Sequence, residues 1–409
     1  MKFDKSSLYG IQSSLKGARY SLFDLALWKN GLAFKKINFS ETGIPVIKIA
    51  ELNNGIGSTT AYTQQLFSDE VHICKGDLLF SWSGNPRTSI DIFRFELEEG
   101  WLNQHIFKVT PNEDIIDFDY FYFLMKYLKP YFTEIAINKQ TTGLGHVTIG
   151  DIKRMNLVVP SFGTQRNIVS ILKPIDNKIT YNKAINKNLE EQCCAIYKSW
   201  FVDFSRNNNC KPDTWLYKTI DDLTLLVTRG ITPKYDEFSD EYVINQKCIR
   251  NHVIDLSLAR THLPKVVNDK WLCFGDLLIN STGTGTLGRA AQIWFKPEKL
   301  TVDTHVTIVR PKSSVLIYYI GLWGLNHEGA IEDLHTGSTG QTELPRDMIK
   351  NMPIILPDND TLLEFNKLIK PITEQIVLNQ QETIKLEQLR DILLPKLISG
   401  ELDVSNIDL

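Results

Sequence analysis

Residues 141–160 read TTGLGHVTIGDIKRMNLVVP, and residues 338–357 read STGQTELPRDMIKNMPIILP. At an offset of 197 residues the aligned pairs are Thr142 with Thr339, Lys153 with Lys350, Met155 with Met352, and Pro160 with Pro357. The offset is the same at every pair, so the two stretches align without a gap. The chain therefore carries one segment twice, half a chain apart.

The repeat extends well beyond this segment. The tetrapeptide GDLL at 76–79 recurs at 275–278, His105 in HIFKVTP aligns with His305 in HVTIVRP, and KPI at 173–175 recurs at 370–372. The offset drifts only between 197 and 200 residues. Solenoid repeats have periods of roughly 20–50 residues, which is far shorter. The pattern therefore indicates a tandem duplication of a unit made of a domain and a helix.

The first part of each unit is rich in β-branched and aromatic residues interrupted by turn residues. Examples are IPVIKIAEL at 44–52 and DLLFSWSG at 77–84 in the first unit, and WLCFGDLLIN at 271–280 in the second. This composition predicts short strands, with one helical patch at 120–131. We expect β-rich domains at 1–160 and 209–357, and helices at 161–208 and 358–409.

The second part of each unit predicts a long amphipathic helix, the first of which spans about 60 Å from 164 to 203. Apolar residues alternate at spacings of four and three, which is the heptad pattern of a coiled coil. The predicted seam contains Ile168, Leu172, Ile175, Ile179, Asn182 and Leu189, and, 197 residues later, Phe365, Ile369, Ile372, Ile376, Asn379 and Leu386. Because the two seams match, we favour antiparallel pairing of the helices over separate packing on their own domains.

Three residue types within the helices carry further expectations. A buried Asn lowers the stability of a coiled coil but fixes its register, and we assign this role to Asn182 and Asn379. Pro174 and Pro371 predict a kink or a broken turn in each helix. A bundle that binds partner subunits needs apolar residues outside the seam. The candidates are Ile384, Leu389, Ile392 and Ile398, with Phe201 and Trp215.

Composition limits the classes of function. The 409 residues carry a net charge of −3, so a DNA-binding surface would have to come from local clusters of Lys and Arg. The six cysteines form no CxxC pair, which predicts a reduced, cytoplasmic protein with buried thiols. There is no run of eighteen apolar residues and no apolar segment typical of a signal peptide, so we expect no membrane span.

Enzymatic motifs are weak or absent. Gly283, Gly285 and Gly288 match G-x-G-x-x-G, but the following RAAQIWFKP predicts a strand where a dinucleotide site needs a helix. The chain has no phosphate-binding GxxxxGK[ST] loop and no HExxH zinc motif. We interpret His105 and His305 as structural histidines in strands. The sequence therefore predicts no catalytic residue and no metal ligand.

Polar loops beside the strands are the remaining candidates for a binding site. Arg pairs with guanine and Asn or Gln with adenine, whereas hydroxyl groups suit phosphate contacts. The predicted DNA-binding residues are Trp82, Ser83, Asn85, Arg87, Lys139, Gln140 and His146 in the first unit, and Ser281, Thr284, Arg289, His335, Ser338 and Gln341 in the second. Two equivalent sets of loops would read two short sequences at a set separation.

In the order of these repeated motifs the chain resembles the specificity subunits of type I restriction-modification systems. The resemblance covers nearly the whole chain and is carried by KGDLLFS and FGDLLIN, by LNQHIFKV at 102–109, and by the two segments quoted first. The helices that follow, closing with LLPKLISGELDV at 393–404, carry it too. It implies an α+β fold with two β-rich target-recognition domains, related by a pseudo-twofold duplication and joined by two long antiparallel coiled-coil helices.

The resemblance also implies a function. Each target-recognition domain would read one half of a split sequence in double-stranded DNA, and the paired helices would set the spacer and bind two methylation subunits. Those subunits would carry S-adenosylmethionine, and added restriction subunits would use ATP and Mg²⁺. The specificity subunit itself would hold no cofactor or metal and catalyse nothing.

Two alternatives remain open at this point. The chain could be an orphan or phage-borne DNA-binding scaffold without methylation partners, although it shows no helix-turn-helix, zinc finger or basic arm. It could also be a nucleotide-dependent methyltransferase or nuclease, for which the only support is the glycine loop at 283–288. Binding of S-adenosylmethionine or a dinucleotide by the purified protein would favour the enzyme.

Overall fold

The structure is a computed structural model that describes residues 12, 14–57, 59–140, 143–263, 267–283, 285–337 and 342–405. The chain forms two compact units. Unit 1 comprises Met1–Ile179 and Ile384–Leu409, and unit 2 comprises Thr180–Thr383. Each boundary between the units lies inside a long helix, so each unit contains one β-rich region and a segment of both helices.

Unit 1 begins with strands and ends in helical segments. Its strands are β1 Ala18–Ser21, β2 Ala26–Asn30, β3 Ile44–Ile47, β4 Tyr62–Thr63, β5 His72–Cys74, β6 Leu78–Ser81, β7 Ser83–Gly84, β8 Asp91–Arg94, β9 Glu99–Leu102, β10 Ile106–Pro111, β11 Gly145–His146 and β12 Asn156–Val159. Its helices are α1 Ile49–Asn54, α2 Phe118–Asn138, α3 Ile149–Arg154 and the first part of α4 Phe162–Phe201. Single 3-10 turns cover Leu22–Leu25, Lys36–Asn38 and Asp69–Val71.

Unit 2 repeats this order in outline. Its strands are β13 Leu216–Thr219, β14 Thr224–Arg229, β15 Glu241–Ile244, β16 Ile249–Arg250, β17 Val253–Ile254, β18 Arg260–His262, β19 Leu277–Asn280, β20 Ala290–Gln292, β21 Leu300–Val302, β22 Val306–Pro311 and β23 Pro353–Leu356. Its helices are α5 Ile220–Leu223, α6 Ile317–Asn326, α7 Glu328–Glu332, α8 Arg346–Lys350 and most of α9 Asn359–Ser399. The 3-10 turns are Ser205–Asn207, Gln246–Cys248, Leu256–Leu258, Asn268–Lys270 and Ser314–Leu316.

The main sheets of the two units share most of their topology. The central antiparallel sheet runs β2-β10-β6-β8 in unit 1 and β14-β22-β19-β20 in unit 2. A second sheet pairs β3 with β9 in unit 1 and β15 with β21 in unit 2, in parallel in both cases. The outer pairs β1-β12 and β13-β23 also correspond. The predicted α+β fold with a duplicated β-rich domain and long helices is therefore confirmed.

The repeated GDLL tetrapeptide is a turn that leads into the middle of each central sheet. Gly76 and Gly275 have φ angles of 95° and 93°, which glycine adopts without steric strain. The following Asp77 and Asp276 each accept a 2.8 Å hydrogen bond from the backbone N–H three residues earlier. The two leucines of each tetrapeptide then begin β6 and β19. Their side chains are buried, so both strands enter the core.

Within unit 1, the α4 and α9 segments pack antiparallel. Asn167 Nδ2 donates to the Val404 carbonyl at 2.8 Å, and Asp176 forms a 3.3 Å ion pair with Arg390. Val404 lies just beyond the end of α9, and the number of the partner falls as the number along α4 rises, which defines the antiparallel direction. Ile168 and Leu172 join Leu394, Leu397 and Ile398 in one core with the β-rich region.

Within unit 2, the helix segments also pack antiparallel. Asn182 Nδ2 donates to Glu382 Oε2 at 2.8 Å, and Asn186 Nδ2 donates to the Ile376 carbonyl at 3.0 Å. Farther along, the Phe201 ring lies 4.8 Å from the Phe365 ring, centroid to centroid. The helix segments therefore hold both the predicted polar seam and an aromatic cluster.

The seam positions are buried to different degrees. Ile168, Leu172, Ile179, Asn182, Phe365, Ile369, Ile376 and Asn379 are buried, and Ile175, Leu189, Ile372 and Leu386 are half-buried. Of the kink or broken turn predicted at each proline, the broken turn does not occur, because α4 is continuous through Pro174 and α9 through Pro371, and the kink stays a prediction. Across the described ranges, none of the helices has both the length and the apolar character needed to cross a membrane.

The cysteines correct one expectation. All six are free, as a reduced protein requires, but Cys74, Cys210 and Cys273 are exposed. Only Cys193 and Cys248 are buried, and Cys194 is half-buried. Burial raises the pKa of the Cys193 thiol to about 12, so this thiol stays protonated and unreactive at neutral pH.

Candidate nucleic-acid interface

In unit 1 the two polar loops predicted from the sequence lie side by side. Strand β7 follows the central strand β6 and pairs with β11, with His146 opposite Ser83 and Gly145 opposite Gly84. The Val147 N–H also donates to the Trp82 carbonyl at 2.8 Å. We call this group of residues, 82–87, 105 and 143–147, the loop cluster of unit 1. Main-chain hydrogen bonds therefore fix the positions from which its side chains project.

Trp82 is the rigid member of this cluster. Its indole N–H donates to Asn30 Oδ1 at 3.1 Å, and its ring stacks on Phe107 with centroids 5.7 Å apart. The His105 ring lies at the same centroid distance on a tilted plane. Trp82 is therefore half-buried and held on several sides, which suits a platform for its neighbours better than a mobile contact.

Asn85 and Arg87 form the exposed tip of the loop. Asn85 Oδ1 accepts a 3.0 Å hydrogen bond from the Arg87 N–H, and the Asn85 carbonyl accepts one of 2.8 Å from the Ser89 N–H. Both side chains are exposed. The asparagine side chain thus builds the turn that presents the Arg87 guanidinium to solvent.

Lys139 has a structural partner. Its Nζ pairs with the carboxylate of Asp151, which caps α3 through Thr148 and also pairs with Arg154 at 2.6 Å. Burial alone would raise the pKa of the Asp151 carboxyl, but the hydrogen bonds from Lys139 and Thr148 outweigh burial and lower this pKa to about 2. The Lys139 charge is therefore largely neutralised within the unit. Gln140 beside it is exposed, and His146 is half-buried.

Unit 2 builds a loop cluster in the same way. The Leu344 N–H donates to the Ser281 carbonyl at 2.9 Å, and Thr282 bridges to Glu343 as an antiparallel pair. These contacts are the counterparts of Val147 with Trp82 and of Ser83 with His146. The loop cluster of unit 2 therefore comprises residues 281–283, 305 and 343–344, with Ser281 in the position of Trp82 and Glu343 in that of His146.

The predicted residues of unit 2 are placed unevenly. Ser281 is a correction, because its hydroxyl is fully buried and lies 2.6 Å from Thr307 Oγ1 rather than at the surface. Arg289 is half-buried just before β20. His335 is exposed, and its Nδ1 lies 2.8 Å from the Glu332 carbonyl. Thr284, Ser338 and Gln341 lie outside the described residues.

Arg229 and Glu343 were missed by the sequence reasoning. The Arg229 guanidinium pairs with the Glu343 carboxylate, and its Nη2 donates to the Leu344 carbonyl at 2.8 Å. Arg229 ends β14 just before Gly230, and Asn30 occupies this place before Gly31 in unit 1. The aligned glycines were the signal that could have revealed both positions. An Arg beside a carboxylate offers donors for guanine and an acceptor for cytosine.

The two equivalent histidines also differ from the expectation. His105 and His305 lie in the tight turns that precede β10 and β22, not within strands, and both are exposed. His305 Nδ1 lies 2.7 Å from Thr282 Oγ1. The histidines therefore belong to the loop clusters.

The glycine loop at 283–288 does not have the geometry of a dinucleotide site. It connects the antiparallel strands β19 and β20 and leads into a strand, whereas a dinucleotide site needs a helix N-terminus at this point. Within the described ranges, no group of three or more His, Cys, Asp or Glu side chains is arranged to hold a metal ion. The enzyme alternative therefore gains no support from this loop.

Apolar side chains project from the helices away from the seam. In unit 1, Ile384, Leu389 and Ile392 have exposed fractions of 53%, 44% and 58%. In unit 2, the side chains of Tyr181, Ile185 and Leu378 are also exposed. Ile398, Trp215 and Phe201 were also predicted to be outside the seam and available, but they are buried in the cores. Contiguous exposed apolar patches mark interaction surfaces, so these positions are candidates for one.

Comparisons with known proteins agree on one family. The model of the type I restriction modification DNA specificity domain matches residues 18–191. The chain is 23% identical to the type I restriction enzyme MjaIX specificity subunit of Methanocaldococcus jannaschii, over 75% of this chain and 73% of that protein. It is also 23% identical to the HindI specificity subunit of Haemophilus influenzae, over 81% of this chain and 87% of that protein.

A solved structure supports the fold. The type I restriction-modification S subunit from M. genitalium superposes with a TM-score of 0.55 at 13% identity, covering 94% of this chain and 96% of that one. The resemblance to type I specificity subunits that the repeated motifs indicate is therefore confirmed.

Proposed function

We propose, from the match of residues 18–191 to the model of the type I restriction modification DNA specificity domain, that this chain is the DNA-recognition subunit of a type I restriction-modification enzyme. Each unit reads one half of a split target through its loop cluster. The observation that carries the proposal is that the two units hold equivalent loop clusters on one topology but fill them with different side chains. Such a pair suits two different half-sequences.

The chemistry of the clusters supports base reading. Arg87 in unit 1 and Arg229 with Glu343 in unit 2 present donors and acceptors that match base edges in the major groove. Main-chain hydrogen bonds hold the segments that carry them. A binding site needs such fixed geometry, since a loosely held side chain loses discrimination.

The helices set the spacer in this proposal and bind two methylation subunits. The exposed Ile384, Leu389 and Ile392 support the second role, because an isolated scaffold has no need of them. S-adenosylmethionine then belongs to the methylation subunits, and ATP and Mg²⁺ belong to the restriction subunits. This chain holds no cofactor in the proposal.

Mapping of adenine methylation by long-read sequencing tests the proposal, in cells that express the chain with its methylation subunit and in cells that lack the chain. We expect a split motif that disappears without this chain. If methylation is unchanged while the methylation subunit is expressed, the function is an orphan DNA-binding scaffold instead.

Two variants test the division of roles. Insertion of seven residues into α4 and into α9 should lengthen the spacer between otherwise unchanged half-sites. An unchanged spacer would show that the helices do not set its length. Ile392→Glu should abolish methylation without changing the thermal stability of the isolated chain. Lys367→Glu, at an exposed position on the same helix, is its matched control.

A further inference from the structure

His105 and His305 occupy the same position in the two loop clusters. Each lies in the tight turn before the middle strand of its central sheet. The Trp82 N–H donates to the His105 carbonyl at 3.3 Å, and the Ser281 N–H donates to the His305 carbonyl at 2.8 Å. In both units the backbone of the histidine is therefore tied to the loop that follows the GDLL strand.

Each imidazole is oriented within its own unit and is also exposed. His305 Nδ1 lies 2.7 Å from Thr282 Oγ1, and His105 Nε2 lies 3.3 Å from Gln104 Nε2. The second nitrogen of each ring makes no hydrogen bond to any residue that the structure describes. One nitrogen thus orients the ring, and the other is available to a ligand at the surface.

The neighbours of the two histidines differ between the units. Asn30 in unit 1 corresponds to Arg229 in unit 2, and Trp82 and His146 correspond to Ser281 and Glu343. Two half-sites of different sequence present different base edges, but the same sugar-phosphate backbone. Side chains that differ between the clusters therefore suit the bases, and a side chain common to both suits the phosphate.

We propose that His105 and His305 each donate a ring N–H to a backbone phosphate of the half-site that their unit reads. The contact positions each unit on DNA and carries no sequence information. The inference rests on the proposed function and goes beyond it by separating positioning residues from base-reading residues. It replaces the structural role that the sequence suggested for these histidines.

The test uses the complex of this chain with its methylation subunits and two duplexes of equal length, one with the mapped split motif and one with a scrambled sequence. His105→Ala and His305→Ala should each weaken binding to both duplexes by the same factor, roughly 3- to 10-fold. The methylated motif should stay the same. His105→Gln and His305→Gln keep an N–H donor and should recover most of the affinity.

Two control variants separate a phosphate contact from base reading and from loss of stability. His72→Ala removes an imidazole that pairs with Glu99 at 3.0 Å in unit 1, and it should bind both duplexes like the wild type. Arg87→Ala should weaken only the specific duplex. A wild-type complex without a methylated motif would overturn the proposed function together with the inference.

Three results would overturn the inference alone while the wild-type complex methylates its motif. One is unchanged affinity for both duplexes in both Ala variants. The second is a changed motif at one half-site, which would assign the histidine to base reading or loop support. The third is an equal loss in His72→Ala, which would indicate general destabilisation.

Discussion

Asn379 donates a 2.8 Å hydrogen bond from Nδ2 to Oδ1 of Asn186, from one helix of unit 2 to the other. Gln375 Nε2 donates to Asn379 Oδ1 at 2.8 Å, so both polar atoms of the Asn379 amide are satisfied. Asn182 differs, because its Oδ1 is buried without a hydrogen-bond partner among the described residues. The two seam asparagines thus have different energetic roles.

Asn182→Leu should therefore raise the free energy of unfolding by about 1 kcal/mol, since it removes an unsatisfied buried oxygen and adds apolar burial, whereas the hydrogen bond lost from Nδ2 leads to the exposed Glu382, whose carboxylate water can solvate. Asn379→Leu should lower the free energy of unfolding by a similar amount, because it leaves Asn186 and Gln375 without their partner. Urea denaturation of the two variants measures both. Equal effects in the two variants would show that the satisfied and the unsatisfied amide do not differ in energy.

His252 makes the stability of unit 2 depend on pH. Its ring lies between Glu190 on α4 and Glu328 on α7, with Nε2 3.3 Å from Glu328 Oε2. Burial disfavours the imidazolium, but hydrogen bonds to the two carboxylates outweigh burial and raise its pKa from 6.5 to about 10. The protonated ring therefore stabilises the fold fully below about pH 6.5, and this contribution is lost as the pH rises toward 10.

His252→Gln should show this as a stability gap that depends on pH. The wild type should exceed the variant in free energy of unfolding at pH 6.5, and the gap should shrink steadily up to pH 10. Comparison with the variant cancels the titration of other groups. A gap that stays constant from pH 6.5 to 10 would contradict the raised pKa.

The aspartate of the GDLL turn forms an ion pair in each unit, and the two ion pairs differ in how deeply they are buried. In unit 2, Arg310 contacts the fully buried Asp276 through two nitrogens, at 2.8 and 2.7 Å. In unit 1, Lys108 pairs with Asp77 at 2.8 Å, and both side chains are about a quarter exposed. Removing one partner of a buried pair leaves an uncompensated charge, whereas water replaces the partner of an exposed one.

Arg310→Ala should therefore lower the free energy of unfolding by about 3 kcal/mol. Lys108→Ala should cost at most about 1 kcal/mol. Chemical denaturation monitored by the intrinsic tryptophan fluorescence measures both variants. Comparable losses in the two would mean that burial of Asp276 does not control the energy of the pair.

Gly400 ends α9 in a conformation that favours glycine. Its φ angle is 79°, and a Cβ at this position would lie 2.8 Å from the backbone of Leu15. Gly400→Ala should therefore destabilise unit 1 by at least about 1–2 kcal/mol. Gly329→Ala is the control, because a Cβ there meets nothing within 4 Å and should be neutral or slightly stabilising. Thermal unfolding of both variants decides between strain and a general effect of alanine.

The sequence predicted those features that depend on local spacing. The heptad positions follow from the four-three alternation of apolar residues, which is a local pattern. The ends of α4 lie within two residues of the expected 164 and 203. The predicted boundaries between the β-rich domains and the helices remain predictions. Each compact unit takes in part of both helices, so the limits of the units do not test these boundaries.

Features that depend on distant partners were not predictable in this way. Arg229 and Glu343 are 114 residues apart, and no local pattern joins them. Ser281 is fully buried, and the partner that satisfies its hydroxyl, Thr307, lies on the neighbouring strand 26 residues later. The helices α4 and α9 continue through Pro174 and Pro371, although an interior proline removes one hydrogen bond.

The loops of both clusters are attached through main-chain groups, Val147 to Trp82 in unit 1 and Leu344 to Ser281 in unit 2. A peptide N–H and a peptide carbonyl are present in every residue except proline, which lacks the N–H. Mutations at the surface of either cluster therefore alter its chemistry with little penalty in folding. Such an arrangement allows selection to explore new DNA targets in one unit while the other keeps its own.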